Sequence, residues 1–205
     1  ACMLVAVLNA FIENKSGQAN VLDFGGACGA HYFQIRKLTE NSTMLNWAVV
    51  ETRAMVQYAK EFESNELFFF SNLQEAKERL GKVDLLHTSG TLQSVDNPEK
   101  YLEEILNCNA KWILFNRLGL TKGDNNVVIV QKSKLSWNGI GPLPEGYTNK
   151  WIKYPLTYMS EKLFLEHVKE KYSIIAKLDD KSGMHQVEGA EIAGYGLLCE
   201  KKKKT

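Results

Sequence analysis

Cysteine is scarce and scattered in this chain: Cys2, Cys28, Cys108 and Cys199 stand far apart, with no C-x-x-C spacing. That pattern excludes a zinc ribbon and a disulfide framework and fits reduced thiols in a cytoplasmic protein. An excess of one charge is missing as well. The 25 Lys and Arg against 24 Asp and Glu leave a net charge of +1, so no strong field points to nucleic acid or an anionic membrane. No apolar run is long enough to span a bilayer. Met3 to Leu8 comes closest to a signal sequence, but it lacks a basic stretch ahead of it and reads better as part of an amphipathic first helix ending near Asn14–Gly17. The first residue is Ala rather than Met, which leaves room for an upstream segment. The Lys201–Lys204 run reads as a solvated tail. His31, His87 and His185 are dispersed and the carboxylates are unclustered, so no metal site is expected.

What is present is ordinary in composition and specific in order. With 205 residues, 44% hydrophobic and 24% charged, the expectation is one domain, 1–205, able to bury a sizeable core. The chain is organised around Val21-Leu22-Asp23-Phe24-Gly25-Gly26-Ala27-Cys28-Gly29. A short apolar run ends in an acid, a glycine-rich turn follows, and an amphipathic segment begins at once. That is how a buried strand hands over to a helix in an α/β sheet. Glycine permits the tight turn and leaves main-chain N–H groups open to a ligand. A dinucleotide fingerprint G-x-G-x-x-G would place Gly25, Ala27 and Ala30, a poor match. The alternative reading, acid-x-Gly-x-Gly-x-Gly, gives Asp23, Gly25, Ala27 and Gly29, with one Ala in the middle slot.

Further strands are expected at Leu45–Val50 (ending in Glu51), Leu67–Phe70, Val83–Thr88 and Lys111–Phe115. Helices are expected between them, at 30–40, 52–63, 73–80 and from Pro98 to Asn107. This alternation means a doubly wound, mostly parallel sheet. From Arg117 to Tyr158 the pattern breaks into glycine, proline and aromatic residues, with a short strand possible at Val127–Val130. An irregular segment of this length in a compact domain reads as a flap or binding loop. A helix near Ser160–Lys171 and strands near Tyr172–Lys177 and Ile192–Cys199 complete the chain.

The acid-and-glycine turn resembles motif I of the class I S-adenosylmethionine-dependent methyltransferases. Val83 to Gln93, leading into Asp96-Asn97-Pro98-Glu99, resembles the signature after the fourth strand of that family, with Gln93 where His is common. Leu22-Asp23-Phe24-Gly25-Gly26, Gly29, His31-Tyr32, Asn116-Arg117 and Tyr154-Pro155-Leu156 are similar to a little-characterised group of bacterial methyltransferases associated with surface-polysaccharide gene clusters. The resemblance implies a seven-stranded Rossmann-like sheet with its last strand antiparallel and a flap inserted after strand five.

The resemblance also implies S-adenosylmethionine as cofactor, and a set of roles follows. The turn with Asp23, Gly25, Gly26 and Gly29 would receive the amino-acid part, with Asp23 near its ammonium. Glu51 would accept from the ribose hydroxyls, Asn72 and Leu73 would border adenine, and Thr88 and Ser89 would lie under the sulfonium. A small-molecule or glycan acceptor, methylated at oxygen, would meet Gln93 and the aromatic faces of Trp151 and Tyr154 beneath the flap, with His31 as general base. Plainer readings compete at each position. Asp23 and Glu51 could cap strand ends, His87 could be a hydrogen-bonded interior residue, His185 a surface residue and Cys28 a small filler, while the aromatics of 137–158 could be flap packing. Two other functions stay open: a binding module on the same fold, and a nicotinamide-dependent oxidoreductase. The oligomeric state is open too.

Overall fold

A computed structural model of the chain describes residues 6, 17–39, 44–137, 142–143, 145–179, 185–187 and 189–203. Apart from Ala6 and Gly17, the expected first helix lies outside these residues. Ten strands and five α-helices follow in chain order. The first half alternates: β1 (Gln18–Phe24), α1 (Ala30–Arg36), β2 (Met44–Val50), α2 (Arg53–Ala59), β3 (Leu67–Phe70), α3 (Leu73–Leu80), β4 (Leu85–Ser89), α4 (Pro98–Asn107) and β5 (Trp112–Thr121). Then come β6 (Val127–Lys134), β7 (Trp151–Ser160), α5 (Glu161–Lys171), β8 (Tyr172–Asp179), β9 (His185–Val187) and β10 (Ala190–Lys201).

The sheet runs β3-β2-β1-β4-β5-β10-β8. Its first five strands are parallel, and β10 lies antiparallel between β5 and β8. This path holds the seven strands expected. The direction of winding reverses between β1 and β4, where open α/β sheets take their ligands.

Period-two alternation sorts the strands onto two cores. Leu22, Phe24, Ala48, Val50 and Leu86 face α3, α4 and α5, while Val21, Trp47, Val49, Leu67 and Leu85 face α1 and α2. Helix starts are capped by the residues their sequence offers. Thr52, Asn72 and Asn97 each accept a backbone N–H three residues on, and Pro98 follows its cap at the first helical position.

Two strands, β7 and β9, were not anticipated, β6 runs longer than the short strand expected at Val127–Val130, and the expectation of an irregular flap after β5 is corrected accordingly. β5 runs on to Thr121, and β6 and β7 form an antiparallel pair from Val127↔Tyr158 to Lys134↔Trp151. The prolines and glycines that broke the sequence pattern crowd mostly into the connection between β6 and β7, while the flanks alternate as strands do. Val128, Val130 and Lys132 are exposed, and Ile129, Gln131 and Ser133 turn inward. Pro155 is tolerated within β7, which lies off the main path of the sheet. The inner face of the hairpin joins Leu156, Tyr158 and Ile192 with Ile129, Tyr154 and Val187. With β9, the sheet counts ten strands among the described residues, in place of seven. Among the described residues no helix is long and apolar enough to cross a membrane.

The hairpin is seated on β5 through Gly119, where a Cβ would stand 2.6 Å from Cε1 of the buried Tyr158 ring. Gly119→Ala should therefore destabilise the protein by about 1–3 kcal/mol, the usual cost of overpacking. Urea unfolding measures it, and an unchanged midpoint would show that the hairpin sits loosely on the sheet.

Candidate functional site

Each glycine of the turn after β1 answers a specific contact. Gly25 has φ 76° and donates its N–H to the Val50 carbonyl at 2.8 Å, while Thr91 fills the space a side chain would need. A Cβ on Gly26 would fall 2.5 Å from Asp23 Oδ2. Gly29 has φ 81° and closes the turn onto α1. Ala27 departs from the glycine pattern yet takes φ 50°, a left-handed conformation that costs an L-residue about 1–2 kcal/mol. Its N–H is held at 3.1 Å by Glu51 Oε1.

Glu51 sits just past β2, and its second oxygen accepts the Thr52 N–H at 3.0 Å. A carboxylate offers about four lone-pair sites, so these two bonds leave acceptor capacity facing outward. Beside it opens a cavity of about 310 Å³ lined by Gly25, Glu51, Asn72, Leu73, Thr91 and Tyr101, with apolar walls from Phe24, Val50 and Val95. Asn72 and Leu73 stand there because Asn72 caps α3 and Leu73 is its first residue. Four residues expected at a cofactor thus share one concavity.

Asp23 is placed differently from the expectation. Its carboxylate is fully buried beneath the turn, is absent from the cavity wall and takes up donors on both oxygens. Oδ1 lies 2.8 Å from His87 Nδ1; Oδ2 lies 3.2 Å from His31 Nδ1 and 3.4 Å from Trp47 Nε1. The histidines expected to be dispersed are therefore neighbours, with ring centroids 4.6 Å apart. Register explains it: Asp23 pairs directly with His87 across β1 and β4, and α1 lowers His31 onto the same face.

The hydrogen bonds assign the tautomers. A carboxylate can only accept, so His87 donates from Nδ1, and its Nε2 takes the Asn116 amide at 3.0 Å. His31 likewise donates from Nδ1, which leaves its Nε2 lone pair available. Ligand atoms of Asp23, His31 and His87 lie within 4.8 Å of one another, close enough for a metal ion. The hydrogen bonds account for those atoms as a relay.

The electrostatics follow. Burial raises the Asp23 pKa, but the electrostatic pull of the adjacent His87 and the bonds donated by both imidazoles outweigh it and hold the carboxyl far below its ordinary value. The bond to Asp23 raises His31, against partial burial and the Arg117 charge.

Midway along β5 two residues, Asn116 and Arg117, stand opposite Gly196 alone on β10, a bulge that redirects both side chains. Asn116 reaches His87. Arg117, at φ 46°, turns its guanidinium onto β4, with Nε 3.1 Å from Ser89 Oγ and Nη2 3.3 Å from Ser89 O. Ser89 is thus engaged by Arg117, while the hydroxyl of buried Thr88 finds no partner among the described residues. Gln93 accepts the Gly119 N–H through Oε1 at 3.3 Å, a bracing contact.

The structure does not gather Trp151 and Tyr154 around the cavity. Tyr154 packs into the hairpin core, and Trp151, 51% exposed, meets Trp137 edge-on at 5.5 Å between Lys132 and Lys134. Cys28 lies 3.6 Å from the Met55 sulfur. The side chain of His185 lies outside the described residues. His87 is the hydrogen-bonded interior residue that the sequence allowed, and Trp47, Asn116 and Arg117 are the site residues that sequence reasoning left without a role. Their one sequence signal was a polar residue inside each of two buried strands, Asp23 and His87, which demands a partner.

Strand order, the antiparallel β10 and a site at the switch point define the α/β fold of class I S-adenosylmethionine-dependent methyltransferases. Solved structures agree. The sugar N-methyltransferase KedS8 from a Streptoalloteichus species superposes with a TM-score of 0.57 at 12% identity, over 99% of this chain and 88% of that one. The glycopeptide N-methyltransferase MtfA, complexed with S-adenosylmethionine, gives 0.53 at 10% identity over 96% and 87%. An S-adenosylmethionine-dependent methyltransferase from Clostridium acetobutylicum gives 0.52 at 13% over 97% and 90%. No family model matches the sequence, and no curated protein does.

The Asp23 pair sets a pH dependence. A carboxyl lowered by folding stabilises above its unfolded value of 3.8 and loses that contribution as pH falls below it. A raised histidine stabilises below its unfolded 6.5 and loses that contribution as pH rises through its folded pKa. Stability should therefore fall on either side of the window from about pH 4 to 6.5. In Asp23→Asn both limbs should flatten, overall stability should drop by about 2 kcal/mol or more, and the NMR titration midpoint of His31 should move down. A His31 midpoint identical in the two proteins would refute the pairing.

Proposed function

We propose that the chain is a methyltransferase that uses S-adenosylmethionine to methylate a hydroxyl of a small or glycan-linked acceptor. The observation that carries this reading is the shared cavity: Gly25, Glu51, Asn72 and Leu73 meet around one concavity at the carboxyl edge, beside the turn that covers the Asp23–His31 pair. The residues fit the cofactor. Glu51 retains lone pairs for two ribose hydroxyls, the walls of Phe24, Val50 and Leu73 suit a purine, and the Thr88 hydroxyl is a buried polar group without a partner among the described residues. When bound, S-adenosylmethionine supplies a methyl already activated on a sulfonium.

The protein's part is orientation and proton removal. Glu51 holds the ribose end. Asp23 keeps the His31 Nδ1 proton in place, so Nε2 is the nitrogen presented to an acceptor. A neutral imidazole within reach of an acceptor hydroxyl takes its proton as the methyl moves, a contribution of about a hundredfold or more. The likeness of the fold to a sugar methyltransferase and a glycopeptide methyltransferase supports an acceptor of that class, and the polysaccharide-cluster resemblance points the same way. A cytoplasmic, nucleic-acid-independent enzyme is consistent with the balanced charge.

Thermal shift separates this reading from its rivals. S-adenosylhomocysteine should raise Tm while NAD leaves it unchanged, because a ligand bound only by the native state stabilises it. Glu51→Ala should weaken S-adenosylhomocysteine by roughly tenfold or more, and Glu51→Gln less. His31→Ala should bind the ligand normally and lose turnover through kcat. Stabilisation by NAD alone would replace this function with an oxidoreductase. Binding with no methyl transfer to any acceptor would leave a scaffold.

A further inference from the structure

The cation at the bulge of β5, Arg117, has no counter-ion among the described residues. Arg117 is exposed, and its only hydrogen bonds among the described residues go to the neutral Ser89. No carboxylate of the described residues pairs with it. Two of the five guanidinium N–H groups are spent on Ser89, so three remain. The backbone is strained to hold this arrangement, since φ 46° at a non-glycine residue is a left-handed conformation. Two further features make room for it. Gly90, at φ 68°, would bring a Cβ 3.1 Å from Nη2 if it carried one, and Gly196, opposite the bulge, would bring one 3.0 Å from the Phe115 carbonyl. A cation fixed by strain, by a bulge and by two glycines, and left unpaired, is a receptor waiting for an anion.

Its place says which anion. Ser89 is one residue past the Thr88–Phe24 pair, level with Gly25 on the neighbouring strand, so the guanidinium stands about one strand spacing from the glycine turn. The turn is poorly supplied with donors of its own. Gly25 N–H goes to Val50 O, Ala27 N–H to Glu51 and Gly29 N–H to Gly26 O. Asp23, the acid expected at the ammonium, is buried below. A ligand carboxylate arriving at this turn finds three of its five N–H groups already used and an acid, Glu51, nearby. Among the described residues Arg117 is a positive charge at that edge with no carboxylate partner, whereas Lys100 on the cavity wall pairs with Glu104 at 3.8 Å.

We propose that Arg117 receives the carboxylate of the cofactor's amino-acid part, a role that rests on the cofactor reading above. The three remaining N–H groups face a planar, two-oxygen group, for which the guanidinium fork is matched. Ser89 acts as the positioning residue: its hydroxyl and carbonyl fix the plane of the fork. The Arg117 charge also bears on His31, lowering its pKa, and a carboxylate that offsets this charge makes the His31 imidazole the stronger base.

The test uses two ligands that differ at the amino-acid part. S-adenosylhomocysteine carries the carboxylate; methylthioadenosine keeps the adenosine and sulfur and lacks it. Both are titrated by calorimetry against the wild type, Arg117→Ala, Arg117→Gly and Arg117→Lys. The glycine variant removes the guanidinium and relieves the left-handed strain together, which keeps the comparison sound if the alanine variant is less stable. Arg117→Ala and Arg117→Gly should lose at least tenfold in affinity for S-adenosylhomocysteine while binding methylthioadenosine within twofold of wild type, and Arg117→Lys should fall between. Unchanged S-adenosylhomocysteine affinity would overturn the assignment and hand Arg117 to the acceptor. An equal loss for both ligands would make Arg117 structural and also overturn it. A wild type that binds neither ligand fails at the earlier step, the cofactor itself, so the two failures are distinct.

Discussion

One buried carboxylate governs the carboxyl edge of this sheet. Asp23 lies in the central strand with no exposed surface, and burying a charge is tolerable only when it is thoroughly bonded. Three donors from three elements meet it: His87 from β4, His31 from α1 and Trp47 from β2. The arrangement cross-links the strands flanking the switch point and sets the height at which α1 begins. It also demands a glycine directly above, because a side chain at position 26 would strike the carboxylate. Much of the turn is shaped by the group beneath it, before any ligand is considered.

From that anchor the polar order spreads sideways. His87 hands the pattern to Asn116, and the bulge that lets Asn116 reach it also exposes Arg117. One side of the turn carries imidazole and guanidinium; the other carries the cavity with Glu51 and Asn72. A single irregularity in β5 thus sets two side chains, which explains why a strained φ is retained at a residue that makes only exposed contacts.

The parallel half of the fold was legible because its strands are uninterrupted apolar runs and its helices carry their own caps. Glu51, Asn72 and Leu73 could be placed for the same reason, since a residue just past a parallel strand lies at the carboxyl edge whatever the register. What was not legible depends on pairing. Asp23 and His87 are 64 residues apart, and nothing local says that they stand side by side. The bulge at Asn116–Arg117 is a property of two strands together, as Gly196 shows. The hairpin was hidden differently: its connection is rich in turn-forming residues, and its strands alternate Val128, Val130 and Lys132 outward with no buried run to announce them.

The position of β10 has a consequence for how the chain comes together. It is the last described strand to be synthesised, yet it lies between β5 and β8 and bonds to both. Until its residues leave the ribosome, the long β5 presents an open edge of main-chain donors and acceptors, flanked by apolar Leu114, Leu118 and Leu120. Such an edge invites pairing with a stranger. The nascent protein therefore spends its synthesis with its sheet unclosed, and folding of the carboxyl half is a threading of the final strand into a waiting slot. Growth at slow translation or without chaperones should weigh on this chain more than on one whose sheet is finished strand by strand.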